Sequence, residues 1–315
     1  MDEFKIPPHS LIIDEEKLLN LIKKTEKFTH TQKLKIIENI PQMKQWQYDD
    51  FIKDLEEWEL NKSVAYPEEK FSPAFLLKYL NEKVIGQEIA KEKLSLAFYE
   101  HNIIEKNDTN YLKPNLILLG PTGSGKTFMV SELAKALKKP FIVANAAGMV
   151  SSGYVGTRLE DVLTRLYISA GRDVKKAENG IMLIDEFDKM VDGSSHDSVG
   201  GVELQQEFLK LVEGSVQICK TGLERDTSRI ELKTDNILFI FAGAFVKLED
   251  IVKQRLNKKS IGFGINKEIS SYEIFKETTH SDIIKFGIIP ELVSRIQSIA
   301  PLKNLTEEDL YNILK

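Results

Sequence analysis

Gly120-Pro121-Thr122-Gly123-Ser124-Gly125-Lys126-Thr127 has the spacing G-x-x-x-x-G-K-T, placed after an apolar run and before an amphipathic one. These residue types in this order suit a triphosphate. Glycines let the backbone fold close around an anion, so that N–H groups and the amino end of the next helix face the β-phosphate. Lys126 brings a point charge to the β- and γ-phosphates, and the Thr127 hydroxyl is a ligand for Mg2+. Alone, the pattern also describes an ordinary glycine-rich turn, so its neighbours decide.

Ile181-Met182-Leu183-Ile184-Asp185-Glu186 supplies that context. The four apolar residues read as a buried strand. Two acids are tolerated there only where the strand emerges at its carboxyl end, which is where parallel α/β sheets bind ligands. Asp185 is suited to hold Mg2+ through water, and Glu186 to polarise an attacking water as a general base. Loop and acid pair together predict hydrolysis of a nucleoside triphosphate.

Both features need a sheet to carry them. Strands are expected near residues 115–119, 141–144, 181–184 and 237–241, and helices from Lys126, near 159–169 and near 203–212. This alternation predicts an α/β domain with a mainly parallel sheet flanked by helices. Ser72-Pro73, a hydroxyl cap and a first-turn proline, marks the helix that opens it. Residues 1–61 read as a small helical module. There Asp14 caps a helix with Glu15 and Glu16 in its first turn and Leu18, Leu19 and Ile22 on one stripe. Leu34, Ile37 and Ile40 form a second stripe stopped by Pro41, and Ile52, Leu55 and Trp58 a third. Residues 62–71 read as a linker, 72–305 as the large domain, and 306–315 as the start of a further small helical domain.

With 43 basic and 48 acidic residues, a net charge of −5 offers no general attraction to nucleic acid. The longest apolar runs, 116–119 and 237–245, fall short of the roughly 20 residues that cross a bilayer. No apolar signal core follows the first residues. The expectation is a cytoplasmic protein with neither nucleic acid nor membrane as partner. Cys219 is the only cysteine, which excludes an internal disulfide and a multi-cysteine zinc site, and it reads as a small, partly buried hydrophobe.

A longer series of segments runs Val84-Ile85-Gly86-Gln87, the phosphate loop, Gly153-Tyr154-Val155-Gly156, the Asp185-Glu186 strand, Ile261-Gly262-Phe263-Gly264, and residues 285–295 ending in Arg295. This order resembles the ATPase domain of the ClpX-type AAA+ unfoldases of the Clp/HslU ATPase family, over residues 72–305. The resemblance implies the AAA+ P-loop fold and ATP as the nucleotide, with Val84 and Ile85 bordering its adenine. It implies that Tyr154 and Val155 line a central pore and grip unfolded or tagged protein substrates. Arg295 becomes an arginine finger offered to the γ-phosphate of a neighbour, so the active form is a ring, a homo-hexamer. Ile261, Gly262 and Phe263 become the loop that docks into hydrophobic clefts of a ClpP-type peptidase, and two large apolar side chains suit such a use.

Each of these segments has a plainer reading. Gly-Tyr-Val-Gly alone is a turn with a packed tyrosine; Arg295 alone is a surface arginine paired with an acid such as Glu291; the 261–263 loop can fold back on its own subunit. A second pore loop is expected at residues 194–202, and its Ser198-Val199-Gly200-Gly201 centre also suits a surface turn. Arg158 stands where the family carries an acid, and Lys220-Thr221-Gly222-Leu223-Glu224-Arg225 replaces the family's Arg-Lys-His loop. One cysteine cannot build the family's zinc module. The chain ends at Lys315, inside the first helix after Leu305, where the family continues into a small domain bearing a second ATP-sensing arginine; a fragment is expected. Residues 237–241 run into Ala242-Gly243-Ala244, with no evident polar sensor residue. Rival functions are a remodelling ATPase without a peptidase and a nucleotide-binding assembly module without turnover.

Overall fold

The computed structural model describes residues 7–8, 13–24, 30–45, 48–49, 51–52, 55, 72–107, 113–149, 158–191, 198–221, 228–259 and 270–314. Two compact units emerge, Met1–Phe71 and Ser72–Lys315. In the first, Asp14 Oδ1 accepts a hydrogen bond from Lys17 N at 3.0 Å and so caps α1 (Glu15–Lys24). Helix α2 (His30–Asn39) passes into a 3-10 turn, Ile40–Gln42, at Pro41. The apolar stripes meet in a small core of Leu18, Ile22, Ile37, Ile40, Tyr48 and Leu55.

The second unit opens with α3 (Pro73–Lys83), where Ser72 Oγ accepts from Phe75 N at 3.1 Å and Pro73 occupies the first turn. Then follow α4 (Glu88–Asn107), β1 (Leu116–Leu119), α5 (Lys126–Ala136), β2 (Phe141–Asn145), α6 (Leu159–Ser169), α7 (Val174–Glu178) and β3 (Ile181–Asp185). The chain continues through α8 (Ser198–Glu213), β4 (Val216–Lys220), β5 (Arg229–Lys233), β6 (Leu238–Gly243) and α9 (Val246–Lys259). It closes with α10 (Ser271–Lys276), α11 (His280–Phe286), α12 (Pro290–Val293), β7 (Ser298–Pro301) and α13 (Glu307–Leu314).

Strands β2-β3-β6-β1-β7 lie side by side in that order, all parallel. Every residue of β1 and β6 is buried, as a sheet covered on both faces requires. The parallel α/β architecture expected from the alternation is therefore borne out. Two parts of it are not anticipated by the residue pattern. One is β7, a short edge strand whose Ser298, Ala300 and Pro301 carry little strand signal; an edge position tolerates the proline. The other is the antiparallel hairpin of β4 and β5, which buries Cys219 and Leu232 on one face and exposes Val216 and Ile218 on the other. Helix α8 begins at Ser198, so the small centre of the expected second pore loop lies in a helix; residues 192–197 fall outside the described residues. Among the described residues no helix is long and apolar enough to cross a membrane.

Candidate nucleotide-binding site

Strand β1 delivers the phosphate loop at its carboxyl end. Gly120 N donates to Gly243 O at 3.1 Å, which fastens the base of the loop to the end of β6. A Cβ on Gly120 would lie 2.7 Å from Leu302 Cβ, so the close passage of the segment after β7 excludes a side chain. Gly123 and Gly125 have φ of +81° and +91°, and a Cβ on either would meet nothing within 4 Å. Backbone shape requires glycine there, and the space left open at the amino end of α5 is what an anion needs. Ser124 closes the turn by donating from N and Oγ to Pro121 O, at 3.3 and 2.8 Å. Thr122 is exposed at the tip.

Lys126 is 8% exposed, and its Nζ donates to the carbonyls of Gly120 and Pro121, both at 2.8 Å. Burial pushes its ammonium below the ordinary lysine range, while the charges of Asp185 and Asp188 act in the opposite sense. The cation is thus folded onto two neutral oxygens that phosphate oxygens can replace. Thr127, on the same turn, is half-buried.

Asp185 ends β3 half-buried, and its Oδ1 accepts from Glu186 N at 2.9 Å. Glu186 is exposed and has φ +54° and ψ +33°, a left-handed conformation that costs a non-glycine residue about 1–3 kcal/mol and clusters at functional sites. Only β6 separates β3 from β1, so acid pair and loop stand on the same edge of the sheet. A hydroxyl and a carboxylate, both hard oxygen donors, fit Mg2+. Among the described residues no three His, Cys, Asp or Glu side chains converge. The donor set therefore fits an ion shared with a substrate's phosphates, not one held in an all-protein cage.

The segment containing Val84 and Ile85 is fastened to this loop. Gln87, 1% exposed, donates from Nε2 to Ser124 O at 3.2 Å and to Lys303 O at 2.8 Å, and its Oε1 accepts from Lys303 N at 2.9 Å. Lys91 Nζ donates to Val84 O at 3.3 Å. Glu132 of α5 is buried between Lys83, Lys135 and Tyr79. Burial alone would raise its carboxyl, but the hydrogen bonds from Lys135 and Lys83 hold it below the ordinary range.

A family model for the AAA domain (Cdc48 subfamily) matches residues 112–299, from before β1 into β7. The chain belongs to the AAA domain family. It is also 43% identical over 271 residues to the ATP-dependent Clp protease ATP-binding subunit ClpX of Treponema denticola, an overlap of 81% of this chain and 64% of that protein. The likeness to ClpX-type members drawn from the order of motifs is borne out by that identity. The chain spans 64% of that relative's length.

Within this AAA domain, Arg295 stands away from the phosphate loop. It precedes β7, whereas the loop follows β1, and the two strands run parallel with Leu116 opposite Ser298 and Leu119 opposite Pro301. Its Nη2 pairs with Glu213 Oε1, and its carbonyl accepts from Asn115 Nδ2 at 3.2 Å. The acid it meets is Glu213, not the Glu291 of the plainer reading; a partner 82 residues away leaves no local trace in the sequence. Tyr154 and Val155, and Ile261, Gly262 and Phe263, lie outside the described residues, as do residues 222–225. Arg158 caps α6, its N–H donating to Asp161 Oδ2 at 3.4 Å. Cys219 is fully buried, and burial followed by the charge of Glu160 pushes its thiol up to about 12, an inert packing residue. Sequence reasoning missed Gln87 as a clamp and Asp188 as a buried acid beside the site. A glycine followed by glutamine, and a third acid three residues after Asp185, were the available signals.

Proposed function

We propose that this AAA domain binds ATP with Mg2+, hydrolyses it, and works in a homo-hexameric ring that unfolds tagged or unfolded proteins for a ClpP-type peptidase. The observation that carries this reading is the meeting of Lys126 with Asp185 and Glu186 at one edge of the sheet, while Arg295 stands at the other.

The chemistry follows from the residues. Lys126 exchanges two carbonyls for β- and γ-phosphate oxygens, and the glycine backbone offers its N–H groups to the same anion. Thr127 and Asp185 would hold Mg2+, which when bound offsets phosphate charge. Glu186 takes a proton from the water whose oxygen bonds to the γ-phosphorus; the bond from that phosphorus to the bridging oxygen breaks, and ADP keeps the electron pair. Strand β7 spans about 10 Å between Ser298 and Pro301, with Arg295 beyond its amino end. Its guanidinium therefore suits the γ-phosphate on a neighbouring subunit, where such fingers contribute on the order of 10³ to 10⁵ in rate. Val84 and Ile85 would border the adenine.

Tyr154 and Val155, set between glycines, supply an apolar grip that needs no particular substrate sequence. Ile261, Gly262 and Phe263 supply a docking element for the peptidase. A cytoplasmic setting without nucleic acid or membrane partners agrees with the net charge of −5. The test is ATP-dependent unfolding of a tagged fluorescent reporter by the full-length protein, with and without a ClpP-type peptidase. Lys126→Ala is expected to lose ATP binding, Glu186→Gln to bind without turnover, and Tyr154→Ala to lose unfolding more than hydrolysis. Unchanged unfolding in all three discards the proposal. Phe263→Ala is expected to abolish degradation alone; undiminished degradation removes the docking role.

A further inference from the structure

Asp188 lies in the 3-10 turn Phe187–Met190 that follows the acid pair, and it is 3% exposed. Its Oδ2 accepts a hydrogen bond from the buried N–H of Phe245 at 3.1 Å. Its Oδ1 fills the space beside Gly243, where a Cβ would come within 2.3 Å of it. Gly243 in turn accepts the bond from Gly120 N that fastens the phosphate loop. One carboxylate thus joins the turn after β3 to the end of β6, and through it to the loop after β1.

Backbone strain marks both ends of this link. Glu186 has φ +54° and Phe245 φ +52°. Side chains persist in that region only where their surroundings over-determine them. The bond from Phe245 N to Asp188 is such a constraint, because it ties one strained turn to the other. Strand β6 ends in Ala242-Gly243-Ala244 and has no polar side chain of its own to offer there. Asp188 supplies the buried polar group, and the missing Cβ of Gly243 is what admits it.

We infer that Asp188 is a positioning residue for ATP hydrolysis: acting through Phe245 and Gly243, it sets where Glu186 stands relative to the phosphate loop. The inference rests on the ATPase reading above. It touches no reacting atom, so its loss spares binding and slows turnover. A displacement near 1 Å in an active site costs on the order of 10²-fold in rate.

The experiment compares Asp188→Leu, Asp188→Asn and Gly243→Ala in the full-length protein, measuring ATP affinity by titration and turnover per bound nucleotide at saturation. Leucine removes the acceptor, and Gly243→Ala displaces an intact carboxylate by a second route. Both are expected to lose about a hundredfold in turnover with ATP affinity changed by less than about threefold. Asparagine keeps an acceptor for Phe245 N and is expected to stay within about threefold of wild type in turnover. Wild-type turnover per bound nucleotide in Asp188→Leu and Gly243→Ala overturns the inference. So does a loss of activity that only matches a loss of binding sites, since that is misfolding. Hydrogen exchange at the Gly120 amide separates this from the ATPase reading. If the wild type turns over no ATP, that reading fails, and the link still stands if Asp188→Leu speeds exchange at Gly120; unchanged exchange overturns it.

Discussion

Arg295 Nη2 donates a hydrogen bond to Glu213 Oε1 at 2.8 Å, joining the residue group before β7 to the last residue of α8. The two side chains are 45% and 42% exposed, so solvent screens the pair and it contributes on the order of 0–1 kcal/mol. A guanidinium held this weakly exchanges one carboxylate for a phosphate at little cost.

Action in trans makes a complementation prediction. Rings of Arg295→Ala lose on the order of 10³-fold in kcat with ATP affinity preserved, and rings of Glu186→Gln are inactive. Mixed rings are expected to regain hydrolysis, because an intact Arg295 then faces an intact Glu186 across some interfaces. No recovery on mixing places the arginine's action within its own subunit.

Gln87 closes three hydrogen bonds between the Val84 segment, the phosphate loop and Lys303. Gln87→Met keeps the volume and strands buried partners, at a cost of about 1–3 kcal/mol. Denaturant unfolding should show that loss, and a nucleotide titration should show ATP bound about tenfold more weakly, equivalent to about 1.4 kcal/mol. Unaltered affinity would mean that the clamp does not shape the nucleotide site.

Two glycines of the loop answer differently to alanine. In Gly120→Ala the new methyl meets Leu302 Cβ at 2.7 Å and its carbonyl oxygen at 3.0 Å, an overpacking that costs about 1–3 kcal/mol. Gly123→Ala has open space but must hold φ +81°, so the expected cost is about 1 kcal/mol of backbone strain. Thermal melts should rank Gly120→Ala as the less stable; the reverse order contradicts the close approach to Leu302.

His101 on α4 is buried, its Nε2 3.2 Å from Asn179 O. Burial first, then the charges of Lys139 and Lys113, push its pKa down to about 3. An unfolded histidine titrates near 6.5. Below that pH the unfolded chain takes up a proton that the folded one refuses, so stability is full above about 6.5 and falls as pH drops toward 3. Between pH 7.5 and 5.5 the melting temperature should fall less in His101→Gln, whose amide can still donate to Asn179, than in wild type. Equal falls would exclude His101 as the source.

The helix caps at Asp14 and Ser72 and the strand of four apolar residues before Asp185 are legible because each is a local matter of spacing and side-chain type. Strand β7 is less so, because its place is secured by pairing with β1 and not by residues of strong strand preference. The hairpin is masked for a related reason: charged residues line its open face, and burial of Cys219 and Leu232 arises only once it packs. Nor does residue order reveal Gln87 reaching Ser124, or Asp188 reaching Phe245, since each bond joins segments whose distance the fold alone sets.

By itself the sequence determined the phosphate-binding chemistry, since glycine dihedrals, a lysine and a hydroxyl act within one loop of contiguous residues, and it determined the alternation that makes a parallel sheet. The strand order β2-β3-β6-β1-β7 was decided only in three dimensions. That order puts Glu186 and Lys126 on one edge and Arg295 on the other, because parallel strands send everything that follows them to one side and everything that precedes them to the opposite side.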